Sequence, residues 1–170
     1  MTAVSSRREE LLTAIMLDHP KTTGTAMRLT AAVADQFGMP ATDLQCLNLL
    51  AAAGTAAPSW LAERLGMTTS AATKMLDRLE RSGYLTRSDD PTDRRRIIVR
   101  PDLARITALS SYFQPMWVDM AEALAGYTDE QLAFLLEFNK VSQQVTEDHI
   151  KRVRANGRPH GTRAASSVDR

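Results

Sequence analysis

The chain has 170 residues, a net charge of +1 and a single cysteine, Cys46, which excludes an intrachain disulfide. That length suffices for one core-bearing domain, and no apolar run approaches the roughly 20 residues of a membrane-spanning helix. Few aromatics and abundant alanine predict a mainly helical protein. The N-terminus MTAVSSRREELLTAIML lacks a secretory pattern, so a cytoplasmic protein with no membrane partner is expected.

Residues 5–18 read as a short amphipathic helix with Leu11, Leu12, Ile15 and Met16 on one side. Pro20 disfavours helix at the residue before it and is expected to stop the helix. A second helix spans about 23–37, points Met27, Val33 and Phe37 inward, and ends at Gly38 and Pro40. Thr42 and Gln45 form a capping box for the helix DLQCLNLLAAA, which Gly54 closes. Pro58 opens a short helix, SWLAERL, that Gly66 ends. Thr68 caps a longer one, TSAATKMLDRLERS, that ends at Gly83. Residues 84–87 and 96–100 are expected to form the two strands of a hairpin with a long, charged tip.

After Pro101 and Asp102, which suit the start of a helix, apolar residues recur at three- and four-residue steps. They are Ile106, Leu109, Phe113, Met116, Trp117, Met120 and Leu124, and they predict one helix up to Gly126. Thr128 and Gln131 make a further capping box. The last helix carries Leu132, Leu135, Leu136, Phe138, Val141, Val145, Ile150 and Val153, and Asn156-Gly157 ends it. The small, polar composition of residues 157–170 predicts a disordered tail.

Charge is unevenly distributed. Residues 58–100 hold nine Lys/Arg against six Asp/Glu, whereas residues 101–155 hold five against eight. A local basic excess attracts phosphate more than the whole-chain sum suggests. Within that segment Ala72, Met75, Leu76 and Leu79 make one apolar stripe. Thr69, Ser70, Thr73, Lys74, Asp77, Arg78 and Arg81 occupy the other side. This pattern fits a helix-turn-helix whose second helix, about 68–81, enters the major groove. The competing reading is an amphipathic pair inside a helical bundle. The stretch SDDPTDRRRIIVRPD, residues 88–102, adds three adjacent arginines at the hairpin tip, and arginine suits the negative potential of a narrow minor groove.

Taken together, LAERLGMTTSAATKMLDRLERSGYLTRSDDPTDRRRIIV resembles the DNA-binding region of the MarR family of bacterial transcription regulators. The matching positions are Leu61, Ala62, Leu65, Leu79, Gly83, Tyr84, Leu85, Arg87, Asp90, Pro91, Asp93, Arg94 and Arg95. After the wing the family usually shows L-T-x-x-G, where this chain has PDLAR. The resemblance implies a mainly α protein with a small β-hairpin wing (α+β). It would comprise dimerisation helices in residues 1–40 and 102–156 around a winged helix-turn-helix lobe in residues 41–101.

The resemblance also implies a sequence-specific DNA-binding regulator: a homodimeric repressor on a pseudo-palindromic operator, released by a small aromatic or phenolic ligand. Thr68, Thr69, Ser70, Thr73, Lys74 and Arg78 would contact DNA from the helix, and Arg94, Arg95 and Arg96 from wing residues 88–97. Asp93 would orient Arg95 by pairing with it, since alternate residues of an extended segment share a side. The competing reading of the arginines is a solvated turn with weak surface ion pairs. Trp60, Met67, Phe113, Met116 and Trp117 are the candidate ligand pocket, with plain core as the alternative.

Cys46 sits mid-helix without a basic neighbour in sequence and reads as a buried structural thiol. His19, His149 and His160 are too scattered for a metal site, and EDH at 147–149 spreads over different helix faces. No nucleophile–base pair or phosphate loop indicates an enzyme, and no cofactor is expected. The alternative to a specific regulator is a winged helix serving protein contact or non-specific DNA packing.

Overall fold

The structure, a computed structural model, describes residues 6–155 with the exception of Arg94. The elements are, in chain order, α1 (Arg7–Gln36), α2 (Ala41–Ala53), α3 (Pro58–Arg64), α4 (Thr69–Arg81), β1 (Leu85–Asp89) and β2 (Ile97–Pro101). They continue with α5 (Leu103–Ser110), a 3-10 turn (Ser111–Phe113), α6 (Gln114–Leu124) and α7 (Asp129–Ala155). The chain divides into two compact units, Met1–Met116 and Trp117–Arg170. The expected tail at 157–170 lies outside the described residues.

The first unit carries the core. Val33 and Ala34 of α1 meet Leu44, Cys46, Leu47 and Leu50 of α2, Leu61 of α3, Met75, Leu76 and Leu79 of α4, and Ile106 and Leu109 of α5. Leu85 and Val99 seal the base of the hairpin beneath them. The strands pair antiparallel, with Arg87 opposite Val99 and Asp89 opposite Ile97.

Five sequence expectations change. The two N-terminal helices are one, and α1 runs through Pro20. Proline there removes one N–H and crowds the carbonyl four residues back, but thirty residues of continuous helix absorb a single missing rung. The hydroxyls of Thr22, Thr23 and Thr25 donate back to the carbonyls of Asp18, His19 and Lys21 at 3.4, 3.1 and 3.0 Å. Met27 is exposed rather than inward, because only the C-terminal end of α1 is covered within the chain.

The Thr42–Gln45 box does not form. Pro40, at φ −60° and ψ 145°, is the N-cap without a side-chain bond, so α2 starts two residues earlier. Asp102, rather than Pro101, opens α5: Pro101 ends β2, and the Asp102 carboxylate accepts the N–H of Arg105 at 3.0 Å. The single helix expected after it is broken into α5, the 3-10 turn and α6. Pro115 supplies no N–H to continue the ladder, and the turn before it tightens. The Thr128–Gln131 box does form, with bonds of 2.9 and 3.3 Å.

Candidate nucleic-acid interface

α4 is built for one buried and one open face. Thr68 caps it by accepting the N–H of Ala71 at 3.3 Å. Its first turn carries no acidic residue, so the positive end of the helix dipole is left for an outside anion. Ala72, Met75, Leu76 and Leu79 are buried, while Thr69, Ser70, Thr73 and Lys74 are exposed together on the opposite face. The Thr73 hydroxyl donates to the carbonyl of Thr69 at 2.9 Å and keeps its acceptor lone pairs.

Two glycine turns frame this helix. Gly66, at φ 66°, lets the N–H of Met67 reach the carbonyl of Ala62 at 2.9 Å, closing α3 tightly before Thr68. Gly83, at φ 73°, does the same after α4, where the N–H of Tyr84 meets the carbonyl of Leu79 at 3.0 Å. A Cβ on Gly83 would lie 3.3 Å from the guanidinium of Arg105. That guanidinium also donates to the carbonyl of Ser82 at 3.0 Å and lies 5.7 Å above the Tyr84 ring.

The wing tip explains why carboxylates precede the arginines. Asp90 accepts the N–H and hydroxyl of Thr92 at 2.8 and 2.6 Å, and these bonds, the hydroxyl's foremost, hold its carboxyl below the usual carboxylate range. Asp93 accepts the backbone N–H of Arg95 at 3.1 Å; the bond goes to the main chain, not to the guanidinium. Both carboxylates thus brace the turn; Arg95 and Arg96 are exposed with no close ion pair among the described residues, although the Arg96 charge helps to lower the Asp90 carboxyl. Arg94 lies outside the described residues.

Arg78, expected to contact DNA, grips Asp43 of α2, its Nε and Nη2 donating to the two carboxylate oxygens at 2.7 and 2.6 Å. Asp43 is the one buried charged residue among those described, at 1% exposure, and a buried carboxylate must be paired. The bond to Asp43 raises the Arg78 pKa further above its ordinary value. Arg87 of β1 makes the other bracket, with Nη1 donating to Asp77 at 2.6 Å and Glu80 at 3.0 Å.

Reading the sequence did not anticipate either bracket. Asp43 had one signal, a lone charge in an otherwise uncharged helix. Arg87 had another, a cation just downstream of a helix bearing two acids.

The pocket candidates differ in burial. Trp60, Met67 and Phe113 are half-buried against the core, Met116 is half-buried, and Trp117 is exposed. Two open clefts have other linings. One, of about 400 Å³, is bounded by Ala53, Thr55, Arg100 and Leu103; another, of about 410 Å³, by Gln45, Asn48, Leu49 and Arg64. Burial, with help from the Asp43 charge, pushes the Cys46 thiol up from 9.0 to about 12. No metal-binding cluster occurs among the described residues, and no described helix is long and apolar enough to cross a membrane.

Comparison with known proteins places this geometry in a family. The sequence model described as MarR family matches residues 37–96. An uncharacterized HTH-type transcriptional regulator of Bacillus subtilis, YcgE, is 30% identical over 154 residues, which is 91% of this chain and 99% of that protein. A second from the same organism, YfiV, is 40% identical over 65 residues, 38% of this chain and 41% of the relative. Among solved structures, the transcriptional regulator Tm0710 of Thermotoga maritima superposes with a TM-score of 0.58 at 21% identity, covering 82% of this chain and 98% of that one. A mutant MarR from E. coli complexed with operator DNA gives 0.52 at 24% identity, covering 81% and 99%.

Proposed function

The chain belongs to the MarR family, and from that premise we propose that it is a homodimeric, sequence-specific DNA-binding transcription regulator acting as a repressor. The observation that carries the reading is the open face of α4. Thr69, Ser70, Thr73 and Lys74 project from a helix whose other side is locked in the core, next to a wing whose Asp90 and Asp93 carboxylates are bound to its own backbone. In this reading α4 enters the major groove. Ser70 and Thr73 read base edges, and Thr68, Thr69 and Lys74 hold phosphates. Arg95 and Arg96, with Arg94, reach the minor groove. Arg78 contributes by holding the helix rather than by touching DNA.

Dimerisation is supported by apolar surface that one chain leaves exposed. Leu11, Leu12, Ile15, Met16 and Leu17 of α1 are in this state, as are Leu132, Phe134, Leu136, Val141, Val145, Ile150 and Val153 of α7. Apolar surface on this scale marks an association surface. Two subunits would present two copies of α4 about 34–36 Å apart, one turn of DNA. Family likeness extends the proposal to release by a small aromatic or phenolic ligand.

The test is a fluorescence-anisotropy titration at two salt concentrations. It uses the DNA upstream of this protein's own gene and a scrambled competitor, with stoichiometry recorded. Two subunits per site and resistance to competitor are expected. Equal binding to scrambled DNA at matched salt would instead favour non-specific packing.

A further inference from the structure

We infer that Arg87 is a positioning residue: it sets the wing against α4, so that the two elements meet DNA as one rigid unit. The inference rests on the DNA-binding reading above but is argued from the free protein.

A ribbon of two five-residue strands is marginal on its own and takes its direction from whatever anchors it. β2 is anchored at Val99, which is buried and exchanges both backbone bonds with Ala56, at 3.1 and 2.8 Å. β1 is anchored on the opposite member of the same rung, because Arg87 pairs with Val99. Past that rung the hydrogen bonds of residues 88–98 stay within the hairpin, among the described residues. Arg87 is therefore the last polar tie between β1 and the body.

Four bonds make that tie. The Arg87 backbone N–H donates to Glu80 Oε1 at 3.1 Å. Its Nη1 donates to Asp77 at 2.6 Å and to Glu80 Oε2 at 3.0 Å, and its Nη2 reaches the carbonyl of Thr73 at 3.4 Å. The acceptors at 73, 77 and 80 run along one side of α4, starting from a residue of the proposed base-reading face. The Arg87 side chain is only 24% exposed, unlike the freely solvated pairs whose contribution is small. A planar guanidinium holds two carboxylates and a carbonyl in a fixed fork, whereas an ammonium is a compact charge on a flexible stem.

Leverage gives the tie its importance. From Arg87 to the tip is about 15 Å at ~3.3 Å per residue, so a tilt of about 10° at the root moves the tip by about 3 Å. That displacement is as long as a hydrogen bond, enough to lift Arg95 and Arg96 out of a groove already engaged by α4.

The decisive measurement needs no DNA. Spin labels at Ser70→Cys and Thr92→Cys, in a Cys46→Ala background, report the distance between α4 and the wing tip. Arg87→Ala should broaden that distribution, and Arg87→Lys should broaden it less while retaining charge and fold. An unchanged distribution in both variants overturns the inference.

With DNA, Arg87→Ala should weaken operator binding about tenfold, and most of that loss should vanish in an Arg95→Ala/Arg96→Ala background. Full additivity there would mean Arg87 acts independently of the wing tip and would overturn the inference. Recovery of wild-type affinity in Arg87→Ala/Asp77→Asn/Glu80→Gln would overturn it too, reducing the role to charge balance. A wild type that cannot tell operator from scrambled DNA would sink the DNA-binding reading, while the label distances would still decide Arg87.

Discussion

The stretch from α2 to α5 and the helix α7 differ in what they do with their apolar residues. In the former, Leu44, Leu47, Leu50, Leu61, Leu76, Leu79, Leu85, Val99 and Leu109 are at most 2% exposed. In α7 no described residue is fully buried, and Phe134 is 70% exposed. Both segments have helical periodicity, so periodicity alone does not distinguish them. The difference lies in what covers the stripe. The lobe covers its own, and α7 is left needing a surface from elsewhere, which the proposed dimer would supply.

The sharpest way to break this comparison is to truncate one residue on each side. Leu76→Ala should cost about 3–4 kcal/mol in denaturant unfolding at any protein concentration, because it opens a cavity inside a sealed core. Leu136→Ala should cost under about 0.5 kcal/mol in an isolated chain, but more, and in a concentration-dependent way, if two chains share that face. Concentration independence for both variants would remove the support that α7 lends to a dimer.

Arg78→Ala comes next at about 3 kcal/mol, since it strands a buried carboxylate. The figure is set at the low end for a broken buried pair because the Arg78 side chain is 44% exposed. Adding Asp43→Asn should recover part of the loss in the same unfolding assay. If Arg78→Ala instead left stability unchanged and removed only DNA binding, the original expectation of a DNA contact would be restored.

A smaller effect tests the outward-facing charges. Arg95→Ala should weaken binding roughly tenfold and flatten the salt dependence by about one ion, without shifting thermal unfolding. Unchanged affinity and slope would mean that the wing stays off DNA.

The smallest effect is electrostatic. The folded-state Cys46 thiol has its pKa raised from 9.0 to about 12, so above pH 9 the unfolded chain loses the proton first and binds fewer protons. Stability should therefore fall as pH rises from 9 towards 12, by about 1 kcal/mol at pH 10. Cys46→Ala should remove that part of the alkaline slope, and native Cys46 should react slowly with thiol reagents. Rapid labelling of the native protein would contradict its burial.

How legible the molecule was depends on the range of the interactions involved. The α3–α4 pair, its glycine stops, the Thr68 cap and the hairpin all follow from residues within about four positions of one another, where spacing and backbone preference act directly. The break at Pro20 failed because a local preference met a long helix that could absorb one lost rung. The Thr42 box failed because Pro40 had already set the entry to α2.

The brackets on Arg78 and Arg87 were illegible for a different reason. Arg78 and Asp43 are 35 positions apart, and Arg87 reaches residues 7 and 10 positions back, across a turn. An arginine on the polar side of a helix looks the same in sequence whether it faces solvent or a buried acid. By itself the sequence determined which segments are helical, the winged lobe and its basic middle, because apolar period and turn chemistry are local properties. Only the tertiary structure decided which cations are committed and which are free, because a charge is neutralised by whatever stands within a few ångströms in space, regardless of distance along the chain.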